Sequence, residues 1–265
     1  MSVKSLRFGI GYLVVGAALI AGVAWQNASH AQIGAPKLLA VSTYAPAEDL
    51  VAATDATLEQ LGESLADPTD YAEDKQERVK KQGLLLATLA MHCGLHDQQN
   101  AVKPGSEELY KAALAVAKNS AQHAEANRAL GEARAARTLV VPTGKSELKW
   151  EMIRGQGAMM KKLNEVHAAV KRNLLAARFE KQKANLLVQT ASIGAIAQAT
   201  FLDKHEVKNP AEIPLYEEYA VKFRTSAGEL NKAVRDSDLA AATAAFERMN
   251  ATCHDCHQKF VPPKK

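Results

Sequence analysis

The sequence predicts an all-α protein of two tandem four-helix bundles, each running up-down-up-down, preceded by a signal peptide. Three observations carry this. Aromatic residues make up only 5% of the 265 residues while the apolar fraction is 47%, carried mainly by Ala, Leu, Val and Ile, a mix that favours helices over sheets. Long apolar-periodic segments alternate with short polar breaks. The two halves also resemble one another: AEDKQERVKKQGLLLATLAM (72–91) lies over RFEKQKANLLVQTASIGAIA (178–197), and at the same offset Leu109-Tyr110 falls on Leu215-Tyr216. Downstream the register slips by about ten residues, as if the third helix of the first half were shorter.

The first 31 residues read as an export signal. Lys4 and Arg7 supply the positive start, Phe8 to Trp25 the apolar stretch, and Ser29 and Ala31 the small residues for cleavage, so the mature chain begins near Gln32. The rival is an uncleaved membrane anchor, since the apolar run is at the short edge of the ~17–25 residues that span a bilayer. Either way the folded part is expected outside the cytoplasm, in the periplasm or an equivalent compartment. After a variable stretch ending near Tyr44, helices are expected at 46–65, 71–97, 105–119 and 121–137, forming a first domain over 44–140. A break in TLVVPTGKSEL (138–148) leads to helices at 149–175, 178–203, 212–234 and 237–260, forming a second over 149–261. Punctuation sits at Asp67-Pro68, Lys103-Pro104-Gly105, Pro142 with Gly144, Asn209-Pro210 and Pro214.

Charge narrows the partners. There are 33 basic and 29 acidic side chains; without Lys4 and Arg7 the balance is 31 to 29, or +2. No dense Lys/Arg run with interleaved aromatics appears, so no nucleic-acid footprint is present.

The chemistry concentrates at the chain end, in ATCHDCHQKF (251–260). On a helix Cys253, Cys256 and His257 share a face, and the last helix carries them in a stripe of Leu239, Thr243, Phe246, Asn250, Cys253, His257 and Phe260, expected to point into the bundle. C-x-x-C-H is the pattern of covalent haem attachment, in which two thiols reach the vinyl carbons and the adjacent imidazole binds iron. Two alternatives use the same residues. A redox dithiol needs a βαβ setting and a helix start that lowers the thiol pKa, whereas this motif sits in the last turns of a helix. A zinc site needs four ligands, for which His254 or the distant His92, Cys93 and His96 are candidate donors. An odd count of three cysteines in an exported chain argues against a disulfide framework.

With the motif on a terminal helix after three others, the second half resembles the cytochrome c′ family, the four-helix class of c-type cytochromes, over about 149–261. CHDCHQKF places Phe260 at the family's aromatic position. The resemblance implies one covalently attached haem c, with thioether bonds to Cys253 and Cys256 and His257 as the axial iron ligand. It departs at Val261, where family members commonly carry a basic residue. Nothing in the first half matches the motif, so that bundle is expected to be haemless and to serve as a dimer or docking module.

In such a bundle the first and last helices run antiparallel, so the start of 149–175 lies level with the end of 237–260. Its stripe is Ile153, Gln156, Met160, Leu163, His167, Val170 and Leu174. Met160 is the choice for the distal side of the haem and a candidate sixth ligand, ahead of Met159 and Met152; the competing reading is a core methionine. His167, ~10 Å further along, reads as a buried, hydrogen-bonded histidine. Arg154 and Lys162 read as a solvated face, Tyr216, Tyr219 and Phe223 as core wall, His92 and His96 as a helix end, Cys93 as a buried thiol, and His205 as a loop residue. No residue is assigned a catalytic role, since no distal histidine-arginine pair is evident. Two functions follow: an electron carrier for redox partner proteins, or a binder of small gases such as NO or CO.

Overall fold

A computed structural model describes residues 38–142, 144–205 and 207–261. The expected signal peptide lies outside the described residues. Within them the secondary structure is helical, without strands: α1 (Ala47–Ser64), α2 (Glu73–Gly94), α3 (Ser106–Lys118), α4 (His123–Arg137), α5 (Gln156–Asn173), α6 (Ala176–Phe179), α7 (Lys183–Leu202), α8 (Ile213–Arg235) and α9 (Leu239–Phe260), with short 3₁₀ turns between several of them. No helix among the described residues is long and apolar enough to cross a membrane.

Local chemistry sets the helix ends. Glu48 and Asp49 occupy the first turn of α1 and Arg134 and Arg137 the last turn of α4, each favourable to the helix dipole. Pro214 sits in the first turn of α8, where its missing N–H costs nothing. The Asp238 carboxylate caps α9 by accepting the Ala241 N–H at 2.9 Å.

Three boundaries differ from expectation. The helix expected from 149 begins at Gln156, because Gly155 adopts φ +79° and Trp150–Met152 forms a 3₁₀ turn. A Cβ at Gly155 would stand 2.6 Å from Leu84 Cδ1, so α2 presses on the point where the chain turns. The helix expected at 178–203 is broken into α6, a 3₁₀ turn (Glu180–Gln182) and α7. The stretch before Tyr44, expected to be variable, instead packs: Val41, Tyr44 and Ala45 are buried. α3 spans 13 residues and α8 spans 23, a difference equal in size to the slip in register between the two halves.

Helices α1 to α4 pack each on the next, with α4 returning to α1; α5 packs on α7, α7 on α8 and α8 on α9. The two sets meet where α1 and α2 lie on α7, and α2 on α5. One continuous apolar core results, running from Leu50 and Leu86 through Met159 and Ile193 to Leu230 and Met249. α7 is the central element, and every residue from Thr190 to Phe201 is buried. A helix enclosed on all sides needs no polar face, and TASIGAIAQATF has none. Polar contacts tie the sets together: Asn231 Nδ2 donates to Asp49 Oδ2 at 2.8 Å and to Thr190 Oγ1 at 2.9 Å, and Tyr110 Oη donates to the Met152 carbonyl at 2.6 Å.

Candidate cofactor site

The first half of α9 packs through small side chains. Ala242, Ala245, Phe246 and Met249 are buried, whereas Thr243, expected to point inward, is exposed and donates its hydroxyl to the Leu239 carbonyl at 2.8 Å. The alanines let α8 approach closely, so the buried face follows the 3.6-residue helical repeat and not the seven-residue spacing of the expected stripe.

Beyond Met249 the α9 face borders a cavity of about 320 Å³. Asn250, Cys253, Cys256 and His257 form one wall. Met160, Leu163 and His167 of α5 face it, Thr200 comes from the end of α7, and Tyr216, Ala220 and Phe223 come from α8. Phe260 is buried at the end of α9, with its ring edge-on to Tyr216 at 5.2 Å and to Tyr219 at 6.3 Å. Lys259 pairs with Glu212 at 2.6 Å and ties this end of α9 to the turn before α8.

Cys253 and Cys256 are half-buried, while His257 is exposed although it borders the cavity. The motif was expected to point into the core; it stands at the cavity wall and rim. Positions i, i+3 and i+4 share a face roughly 100° wide, and His257 falls at one edge of it, where solvent reaches.

The three methionine candidates separate by direction. Met159 is fully buried, and its Sδ accepts the Thr88 hydroxyl at 2.9 Å, which commits it to the α2 side. Met152 lies in the 3₁₀ turn upstream and does not border the cavity. Met160 does. His167 is half-buried; its Nε2 and Asn250 Oδ1 are 2.5 Å apart, and its ring stacks on Phe246 at 4.7 Å. Arg154 donates to the Glu151 and Ile153 carbonyls at 2.6 and 2.8 Å, and Lys162 to Glu165 at 3.0 Å. Neither borders the cavity. His205 Nδ1 is 2.6 Å from Asp203 Oδ1, in the loop before α8.

The thiol chemistry bears on the alternatives. Burial pushes Cys253 up to about 11, with Cys256 beside it adding to the shift, and burial likewise pushes Cys256 up to about 11. Both stay protonated at neutral pH, the opposite of the lowered pKa on which a redox dithiol depends. The proposed distant zinc donors have partners elsewhere: His92 Nδ1 meets the Thr88 carbonyl at 2.7 Å, His96 Nε2 meets the Ala45 carbonyl at 3.1 Å, and Cys93 Sγ lies 3.8 Å from Thr54 Oγ1. None of the three borders the cavity. Among the described residues, no group of three or more His, Cys, Asp or Glu is placed to hold a metal ion by itself. By contrast, a flat and largely apolar macrocycle suits the site, because thiols and an imidazole share one wall and aromatic, aliphatic and thioether groups form the others.

Sequence reasoning missed Asn164, Thr200, Ala220, Met249 and Thr252. Ala220 lies between Tyr216 and Phe223 at helical spacing, so that stripe carried its signal. Thr200 depends on where α7 ends against α5, where it meets Gln156 Nε2 at 2.5 Å, and no local pattern marks it.

No curated protein and no solved structure matches the chain. The family model described as cytochrome C′ matches residues 151–261. That span holds α5 to α9, the C-x-x-C-H residues and the cavity they border, and so the C-terminal part of this chain belongs to the cytochrome c′ family of c-type haem cytochromes.

Proposed function

We propose that the protein is an exported monohaem c-type cytochrome that transfers electrons through one covalently attached haem c. Cys253 and Cys256 would form the thioether bonds to the haem, His257 would bind its iron, and Met160, facing them across the cavity, would cover the iron or add a second bond to it. The observation that carries this reading is that all four residues border one cavity, three from α9 and Met160 from the facing α5. When bound, the haem supplies a one-electron ferric/ferrous couple. The chain's own residues hold it and shape its surroundings. Tyr216, Phe223 and Phe260 exclude water from one side, and the Asn250–His167 pair fixes a polar contact within the wall. The α1–α4 bundle acts as a haemless docking or dimer module, the partners are redox proteins, and the compartment is the periplasm or its equivalent. The protein is not itself an enzyme.

Binding of NO or CO is a second reading, favoured by the apolar surface that Met160 and Leu163 present opposite the motif. If the Met160 thioether covered the iron without bonding to it, the haem would keep the capacity to bind a small diatomic gas in a crowded, apolar setting. Optical and resonance Raman spectra of both redox states separate the two. A six-coordinate, low-spin ferrous haem that ignores CO, converted by Met160→Ala to a CO-binding form, supports the carrier. A five-coordinate, high-spin haem unaffected by Met160→Ala supports gas binding. Exported protein without a Soret band, and with an intact mass lacking the macrocycle, refutes both.

A further inference from the structure

The strap before α1 crosses α7 and α8 where two glycines leave room for it. A Cβ at Gly194 would stand 3.0 Å from the Tyr44 carbonyl oxygen, and one at Gly228 would stand 3.0 Å from Tyr44 Cα. The strap thereby carries the Tyr44 ring inside, 2% exposed, with its centroid 5.6 Å from the guanidinium carbon of Arg224. Arg224 is 1% exposed. One of its nitrogens, Nη1, donates to Gln198 Oε1, and the Phe201 ring lies 5.2 Å from its guanidinium carbon. Among the described residues, no carboxylate pairs with it. A buried guanidinium without a counter-charge is strongly disfavoured, and burial lowers its pKa accordingly.

Three buried donors in this cluster have no acceptor among the described residues: Arg224 Nε, Tyr44 Oη and Gln198 Nε2. A cleft of about 390 Å³ borders Tyr44 and Arg224, with the Ser42, Thr43 and Thr225 side chains around it and Leu39 and Pro46 supplying apolar surface. The other cations on its walls are already paired, Lys232 with Asp236 and Arg235 with Glu48 and Asp49. Among the described residues, one unmatched positive charge therefore remains on the cleft, at a buried position.

We infer that this cleft binds a small aliphatic monocarboxylate, separately from the haem cavity. The carboxylate accepts from the Arg224 guanidinium and the Tyr44 hydroxyl, while Gln198 holds the guanidinium in place. A guanidinium fork matches the plane of a carboxylate. A single free positive charge, with the Glu229 carboxylate also on the cleft wall, disfavours a dianion such as phosphate. The apolar surface at Leu39 and Pro46 accommodates a short alkyl chain.

The test is calorimetric titration of the haem-loaded full chain with acetate and butyrate, with chloride and inorganic phosphate at matched ionic strength as controls. Saturable binding of the carboxylates alone is expected. Tyr44→Phe should weaken it by about tenfold, the effect of one lost hydrogen bond to a charged group. Gln198→Glu gives Arg224 an internal carboxylate partner and should abolish binding while raising the melting temperature; it retains a folded protein if Arg224→Met does not. Binding unchanged in Tyr44→Phe and Gln198→Glu overturns the assignment, as does an equal response to chloride. Absence of any saturable binding also overturns it.

Discussion

Acidification from about pH 7 to about pH 4 forces a charge onto His92, and the surroundings of that side chain set the cost. The imidazole is fully buried near the end of α2, with the Tyr44 and Trp150 rings edge-on at 6.1 and 4.9 Å. Its Nδ1 lies 2.7 Å from the Thr88 carbonyl and so carries the hydrogen, which leaves Nε2 as an acceptor without a donor. Burial pushes its pKa down to about 4 from an ordinary 6.5, with His96 adding to the depression and the Thr88 carbonyl opposing it. Between these values the unfolded chain binds a proton that the folded chain refuses. Stability is therefore complete above about pH 6.5 and is lost as the pH falls toward 4. A pKa held at about 4 instead of 6.5 corresponds to about 3 kcal/mol, lost at no more than about 1.4 kcal/mol per pH unit. That is a large share of the ~5–15 kcal/mol typical of a folded domain. The assay is urea unfolding followed by circular dichroism across this range, for the native sequence and for His92→Gln. Carboxylates whose pKa is lowered, including Asp97, Glu107 and Glu165, add their own acid sensitivity to both proteins and cancel in the difference. The native sequence should lose about 3 kcal/mol more than the variant by pH 4. Parallel stability curves would refute the argument.

Two further predictions concern how the helices are held together. A Cβ at Gly83 would stand 2.8 Å from the Ala117 backbone nitrogen and 3.0 Å from the Ala113 carbonyl oxygen, so Gly83→Ala must push α2 and α3 apart. A cost of about 1–3 kcal/mol is expected, and an unchanged denaturation midpoint would show that the contact tolerates a methyl group. Asp49 is 4% exposed and accepts from Asn231 at 2.8 Å and from Arg235 at 2.6 Å. Since Arg235 is about a third exposed and keeps its ion pair with Glu48 at 2.9 Å, Asp49→Ala should cost about 1–3 kcal/mol, not the full penalty of a stranded buried charge. Adding Asn231→Leu should recover part of that loss in a double-mutant cycle, and strict additivity would mean that the two side chains do not interact.

Much of the fold was legible because its signals are local. Prolines and glycines marked the breaks, and the α5 stripe from Ile153 to Leu174 is buried or half-buried at every expected position. The level of Met160 against Cys253 followed from antiparallel neighbours of known rise, and both border the same cavity. The choice between Met159 and Met160 was weaker, because the two differ by one helical step, and which one faces α9 depends on how α2 and α7 turn α5 about its axis. The start of α5 was misplaced for a similar reason: the left-handed turn at Gly155 is held by Leu84, more than sixty residues away in the chain.

The amino-acid sequence by itself determined the helical class, the helix order and the placement of two thiols and an imidazole within one turn, since these depend on composition, short-range periodicity and spacing along the backbone. Tertiary structure alone decided that the motif borders a cavity, that the N-terminal strap is drawn over Gly194 and Gly228, and that Arg224 is buried without a carboxylate partner among the described residues. Each of those outcomes depends on the gap left when non-adjacent helices meet, and that gap is set by the combined bulk of side chains distant in sequence.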